Sequence, residues 1–171
     1  MKLRDFLIIL TILLSDQYAC AQNNGAATGV PTEYAFTIEA TISGAIEMGP
    51  SADGTRRSIP ITGGSFSGDG LMGEIVPGGA DYQLTRADGT TYIRAIYMLK
   101  TDGGALINVV NEGYIVPPGI RENKALYFRT TPHFTAPNGK YSWLNSTVFI
   151  SAIRFDAAKP GVVIIDVYKV L

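Results

Sequence analysis

From Glu33 onward, apolar and polar residues alternate in short runs broken by turn dipeptides. The β-rich runs lie near 33–43, 57–62, 71–76, 80–86, 91–100, 104–111, 125–131, 141–152 and 161–171. Asp53-Gly54, Asp88-Gly89 and Asp102-Gly103 fall between or beside them. Asp-Gly flanked by apolar runs marks a hairpin, because the primed turns need positive φ at their centre. Downstream of residue 21 no stretch repeats its apolar residues with a helical period. "PGIRENKAL" at 118–126 reads as one short helical turn at most. About nine strands joined by short turns predict an all-β antiparallel sandwich or barrel of about 8–10 strands. The last run, "GVVIIDVYKVL", has strong β propensity on both faces and therefore needs a partner. Closing the sheet supplies one and removes the exposed edge, so the pattern favours a barrel. A single sheet of this size closed on itself can hold one small ligand.

The first residues carry a different pattern. Lys2 and Arg4 precede the apolar run "FLIILTILL" at 6–14, and Ala19-Cys20-Ala21 fits a small-x-small cleavage site. Residues 1–21 read as a secretory signal peptide cut after Ala21, which places the mature chain in the secretory pathway, the periplasm or outside the cell. The run is too short to span a bilayer of about 30 Å, so no integral span is expected after cleavage. The rival reading is a lipoprotein anchored through Cys20, but Gln17 and Tyr18 replace the small and aliphatic residues such a site prefers. Residues 22–32 are small and polar and read as a flexible lead-in, leaving 33–171 as a single domain.

Composition then narrows the chemistry. The chain has 171 residues and one cysteine, Cys20. Cleavage removes that cysteine, so neither an internal disulfide nor thiol catalysis is available. It also removes Lys2, Arg4, Asp5 and Asp16, two of each sign, which leaves the net charge at −1. A near-neutral chain gives no electrostatic case for nucleic acid. The single histidine, His133, cannot form a metal site by itself, and neither metal nor cofactor is expected. "GDGLMGE" at 68–74 matches G-x-G-x-x-G by letter, but no helix follows to receive a pyrophosphate, so it is no dinucleotide loop.

Two constellations carry candidate chemistry. The first is "YFRTTPHFTAPNGKYSWLN" at 127–145, which holds the only Trp and the only His. As strands, it places Tyr127, Arg129 and Thr131 on one face, and Tyr141, Trp143, Asn145, Thr147 and Phe149 on one face of the next. Aromatic area mixed with a few amides and hydroxyls is the chemistry of a pocket wall. The alternative is an aromatic corner of the core, with Trp143 packed and its N–H locally satisfied. An inward Arg129 would need an anionic or carbonyl partner. His133 is a candidate general acid or base. Asn145-Ser146-Thr147 is the one sequon, relevant only in a host that glycosylates.

The second constellation is "PGGADYQLTRADG" at 77–89. Asp81 and Gln83 lie two residues apart on one strand face, roughly 7 Å apart, a spacing suited to gripping hydroxyl or carbonyl oxygens. Glu74 is a candidate second carboxylate. Gly78-Gly79 permits a bulge that re-aims these side chains. The alternative is a solvated outer face.

The segments "IPITGG", "GEIVPGGADYQL", "TDGGALI" and "YFRTTPHF…YSWLN" resemble those of the family known as domain of unknown function 3237, over roughly residues 34–170. That resemblance implies a compact antiparallel barrel of lipocalin or allene-oxide-cyclase type. It also implies an Arg where this chain has Ile96, so one polar wall of the pocket is expected to differ. Family members are expected to be cytosolic, from which the signal peptide departs.

These readings converge on a barrel that takes a small hydrophobic, oxygenated molecule. One function is an enzyme of secondary metabolism promoting cyclisation, including pericyclic Diels–Alder-like closure, dehydration or isomerisation. Arg129, His133 and Asp81 would be catalytic, with Gln83, Thr131, Tyr141, Trp143, Asn145 and Glu74 binding substrate. The other functions are a non-catalytic carrier using the same pocket and a solid structural barrel. The sequence leaves room for a homo-oligomer and names neither substrate nor source.

Overall fold

A computed structural model of the chain describes residues 29–68, 70–120 and 125–171. Residues 1–21, read as a signal peptide, and most of the lead-in lie outside the described residues, as do 121–124 of the run read as a helical turn. The strands are β1 (Thr32–Ile42), β2 (Ile46–Ser51), β3 (Gly54–Gly68), β4 (Leu71–Thr85), β5 (Thr91–Thr101), β6 (Leu106–Val116), β7 (Tyr127–Thr135), β8 (Phe149–Phe155) and β9 (Val162–Val170). All neighbours pair antiparallel in the order β1-β9-β8-β7-β6-β5-β4-β3-β2. β1 also pairs with β3, which closes eight strands into a barrel and leaves β2 as a flap on the outer end of β3.

The all-β barrel read from the sequence is therefore the fold, with three local corrections. The runs 71–76 and 80–86 are one strand, β4, continuous through a bulge. Between Val76 and Ala80 it advances four residues while β5 advances two, from Met98 to Ile96. β2 was missed, because "IEMGPS" has a Gly and a Pro in six residues and no alternating apolar face. Residues 142–146 form a 3₁₀-helix rather than the start of a strand, and β8 begins only at Phe149. Pro137, Asn138 and Gly139 turn the chain, but the 3₁₀ turn delays re-entry into the sheet. As a result β7 and β8 pair only at Arg129–Ala152 and Thr130–Ser151. Pro132, which cannot donate to a ladder, lies in β7 beyond that short pairing.

Alternation decides what faces inward. In β1 the fully buried residues are Phe36 and Ile38, followed by Ala40. β5 points Ile93, Ala95, Tyr97 and Leu99 inward, and β6 points Ile107, Val109 and Asn111. These residues form one contiguous core. Burying a Leu, Ile or Phe side chain is worth about 1.5–3 kcal/mol, so with no disulfide in the described part this core carries the stability.

Closure runs through a crowded point on β3. Gly64 stands opposite Ala40 with φ of 126°, and a Cβ there would come within 2.0 Å of the Glu39 carbonyl oxygen. Gly63 beside it has φ of 149° but open space around it. Gly64→Ala is expected to lower the unfolding free energy by about 2–4 kcal/mol, combining backbone strain with a main-chain clash. Gly63→Ala should cost clearly less. Urea unfolding of both variants checks this; equal midpoints would mean that close approach at Gly64 does not govern closure.

Candidate functional site

The barrel interior divides into two halves of different chemistry. One end is filled by interlocking rings. Phe36 lies 5.5 Å from Phe134 and 6.4 Å from Phe66, Phe134 lies 5.0 Å from Phe149, and Trp143 caps Phe149 at 5.8 Å. Leu144 of the 3₁₀-helix is buried beneath them. Such ring pairs add about 0.5–1.5 kcal/mol each beyond area burial, and they leave this end plugged.

Toward the other end the inward residues are smaller or polar, and a cavity of about 140 Å³ remains. Its wall is largely aliphatic, with Ile59, Ile61, Ile93, Ile115, Ile153 and Ile165 among its members. Phe128 and Phe155 also line it, with rings 6.2 Å apart. Phe155 is 60% exposed although it lines the cavity, so it marks the mouth.

Three polar side chains on this wall form a chain. Arg57 Nε donates to Gln83 Oε1 at 2.7 Å, and Gln83 Nε2 donates to Asp81 Oδ2 at 2.6 Å. Strand pairing positions them: Arg57 stands opposite Gln83 across β3 and β4, and Asp81 follows two residues along β4. Arg57 has only donors, so it fixes which end of the Gln83 amide faces it. The amide NH₂ must then face Asp81, Oδ2 must accept, and the acid's proton belongs on Oδ1. Oδ1 is out of solvent and has no hydrogen-bond partner. Two more lining groups among the described residues are buried without partners, the Tyr97 hydroxyl and Asn111 Oδ1. By contrast, the neighbouring buried hydroxyls of Thr130 and Ser151 satisfy each other. Orphaned buried polar atoms cost about 1–3 kcal/mol each; here three line one void.

Burial is the main influence on the Asp81 acid and pushes it above the ordinary carboxylate value. The Gln83 hydrogen bond, the Arg94 backbone N–H and the charge of Arg57 oppose it without overcoming it. Burial likewise raises the Tyr97 phenol, helped by the nearby Asp81 charge, so Tyr97 stays a neutral donor.

The candidates read from the sequence separate. Asp81 and Gln83 line the cavity, whereas Glu74 points out and pairs with Lys100 at 3.1 Å. Arg129, Thr131 and His133 are on the exposed outer face of β7, while Phe128, Thr130, Pro132 and Phe134 face in. Arg129 donates to the Phe128 carbonyl at 2.9 Å and lies over the Tyr127 ring. The alternation of this strand was legible in the sequence, which left Arg129 either inward or solvated; the structure turns its face outward, with Phe128 and Phe134 inside. Tyr141 packs against the core under Lys140, and Trp143 sits at the plugged end, 39% exposed. Asn145 clamps the end of β7: its Nδ2 donates to the Ala136 carbonyl at 3.0 Å and its Oδ1 accepts from the Ala136 amide at 2.7 Å. Apart from Phe128, which lines the cavity, the aromatic stretch therefore forms one end of the core, and none of its candidates read from the sequence shares a wall with Asp81. Ile96 also faces away from the cavity, since its neighbours Ala95 and Tyr97 face in. Among the described residues, no three His, Cys, Asp or Glu side chains converge as metal ligands, and no helix is long and apolar enough to cross a membrane.

Arg57, Tyr97 and Asn111 were not singled out from the sequence, yet each carried a signal. Each is a polar residue in step with an apolar face: Arg57 with Ile59 and Ile61, Tyr97 with Ile93 and Leu99, Asn111 with Ile107 and Val109. A period-2 reading that asks which polar residue breaks the apolar face would have found all three.

These features define a closed antiparallel β-barrel with a ligand-sized, mostly aliphatic cavity and one polar wall. Residues 30–170 match the family described as "Protein of unknown function (DUF3237)", and the chain belongs to that family. It is 36% identical over 150 residues to a UPF0311 protein of Rhodopseudomonas palustris, covering 82% of this chain and 96% of that one. The crystal structure of that R. palustris protein, of unknown function, superposes with a TM-score of 0.76 over 84% of this chain and 99% of its own. A β-barrel-like protein of Acinetobacter baumannii, 32% identical, superposes at 0.73 over 85% and 99%. An enzyme of Penicillium herquei superposes at 0.67 over 84% and 96%, but at 21% identity that likeness is one of fold alone.

The raised Asp81 acid has a stability consequence. Below the unfolded value of about 3.9 both states are protonated and the group is neutral in effect. As pH rises past that value the unfolded chain ionises first, so native stability falls until the folded acid has also ionised. Asp81→Asn removes this loss. Its melting temperature relative to wild type should therefore climb between pH 4 and pH 8. A constant difference across that range would show that Asp81 titrates normally.

Proposed function

We propose that the cavity binds a small hydrophobic, oxygenated metabolite and promotes its isomerisation, dehydration or cyclisation by moving a proton through Asp81. The observation that carries this is the Asp81 carboxyl itself, gripped through Oδ2 and orphaned at Oδ1 on an apolar void. A buried acid with a raised pKa is poised to give and take protons nearer neutrality. The Tyr97 hydroxyl, which burial keeps neutral, is suited to donate to an oxygen that gains negative charge. A β,γ-unsaturated ketone illustrates the balance. The Asp81 carboxylate takes a proton from the carbon between carbonyl and alkene, and the electrons move into an enolate held by Tyr97. Asp81 then returns the proton to the far alkene carbon. No covalent intermediate is needed. The reading also includes secretion after cleavage at Ala21.

A second reading, a non-catalytic carrier, is favoured by the rigidity of the same wall, because a locked Arg57–Gln83–Asp81 chain suits binding without turnover. One probe separates the two. Cyclohex-3-en-1-one is about the size of the void, since a cavity of about 150 Å³ holds a benzene ring. Wild-type protein is expected to accelerate its conversion to the conjugated enone, followed by ultraviolet absorbance. Asp81→Asn should lose about 100-fold or more while still binding the ketone. Saturable binding without turnover by either protein would leave the carrier; absence of saturable binding would end both.

A further inference from the structure

The polar wall has a cation that makes no direct ion pair among the described residues, the carboxylate on the wall, Asp81, being reached only through Gln83. The Arg57 guanidinium lines the cavity, and Gln83 is its only hydrogen-bond partner among the described residues, reached through Nε. The two terminal nitrogens, Nη1 and Nη2, carry donors that no described group accepts. Glu47 stands opposite Arg57 across the β2–β3 ladder, yet no ion pair joins them. The arginine–carboxylate pairs seen among the described residues lie at the surface: Arg56 with Asp53, Arg94 with Glu112, Arg154 with Asp166. Asp81 is linked to Arg57 only through the Gln83 amide.

A partly desolvated guanidinium with an open fork is complementary to one chemistry above others, a planar carboxylate received by two parallel N–H groups. Its placement gives the ligand a direction. Arg57 lies near the start of β3, beyond Ile59 and Ile61 and away from the plugged end, so it stands toward the mouth with Phe155. The orphaned Tyr97 hydroxyl and Asn111 Oδ1 lie deeper, on buried positions of β5 and β6.

We propose that the ligand of this barrel is a small monocarboxylic acid bound as its anion, its carboxylate on Arg57 Nη1 and Nη2 at the mouth, its ring-sized apolar body among the isoleucines, and a second oxygen at Tyr97 and Asn111. This rests on the cavity being the binding site and adds the class of molecule that enters it. It also assigns Arg57 two roles, orienting Gln83 through Nε and selecting the ligand through Nη.

The test compares three probes that share one ring and differ in the head group: benzoate, benzamide and benzyl alcohol. Each is titrated into the full barrel by ligand-observed NMR and calorimetry. Benzoate is expected to bind about 10-fold or more tighter than either neutral probe, the scale of one charge-assisted contact. Arg57→Gln should abolish that preference and Arg57→Lys should restore part of it, with circular dichroism confirming that both variants fold. Neutral probes that bind as tightly as benzoate in wild type would overturn the carboxylate assignment and leave the cavity reading standing. A preference that survives Arg57→Gln would do the same. Binding by none of the three up to solubility would overturn the cavity as a binding site, and this inference with it.

Discussion

The β1–β3 ladder, from Phe36–Gly68 to Ile42–Ile61, is the constraint on which the rest of the molecule depends. Without it the sheet has two edges and its apolar face has no opposite wall. With it, β1 takes β9 on one side and β3 on the other, and each inward residue meets others across a closed interior. Closure also explains the glycines of β3. A sheet of eight strands curls only where side chains give way to close backbone approach, and Gly64 against the Glu39 carbonyl is such a place.

Once closed, the barrel is asymmetric along its axis, and the asymmetry follows from side-chain volume. Four phenylalanines and a tryptophan meet at one end and fill it. Toward the other end the inward positions hold mostly isoleucines, two alanines and a few polar groups, which do not fill the axis from all sides. A cavity is what remains. The 3₁₀-helix belongs to the plug: Leu144 enters the core while Asn145 pins the connection to Ala136. The segment that looked most like a binding wall is what seals the barrel opposite the cavity.

The polar wall is costly to fold and useful to keep. Asp81, Tyr97 and Asn111 each bury an atom without a partner, and burial raises the Asp81 acid despite the nearby Arg57 charge. Core packing alone would favour aliphatic residues at these positions. Three unpartnered polar atoms on one void are what the proposed ligand would satisfy. Arg57 and Gln83 orient the acid; the isoleucines keep water scarce around it.

The fold class was legible in the sequence because a period-2 pattern and Asp-Gly turns are local signals, and the terminal strand's two-faced propensity already demanded a partner. The choice of Asp81 and Gln83 as a pair was legible for the same reason, since residues two apart share a strand face whatever the fold. Which face is inside is a different matter. In β7 both faces carry aromatics, so alternation alone cannot distinguish Arg129 outward from Arg129 inward; only packing of Phe128 and Phe134 against β6 and β8 settles it. Arg57 and Gln83 are 26 residues apart, and Asn111 is further still. Their meeting depends on strand order and register, which are set by closure and not by any local run. The sequence by itself determined strands, alternation and a single cysteine, at position 20. The tertiary structure decided the inside, the plug and the cavity, because those depend on which distant side chains are large enough to meet across the barrel axis.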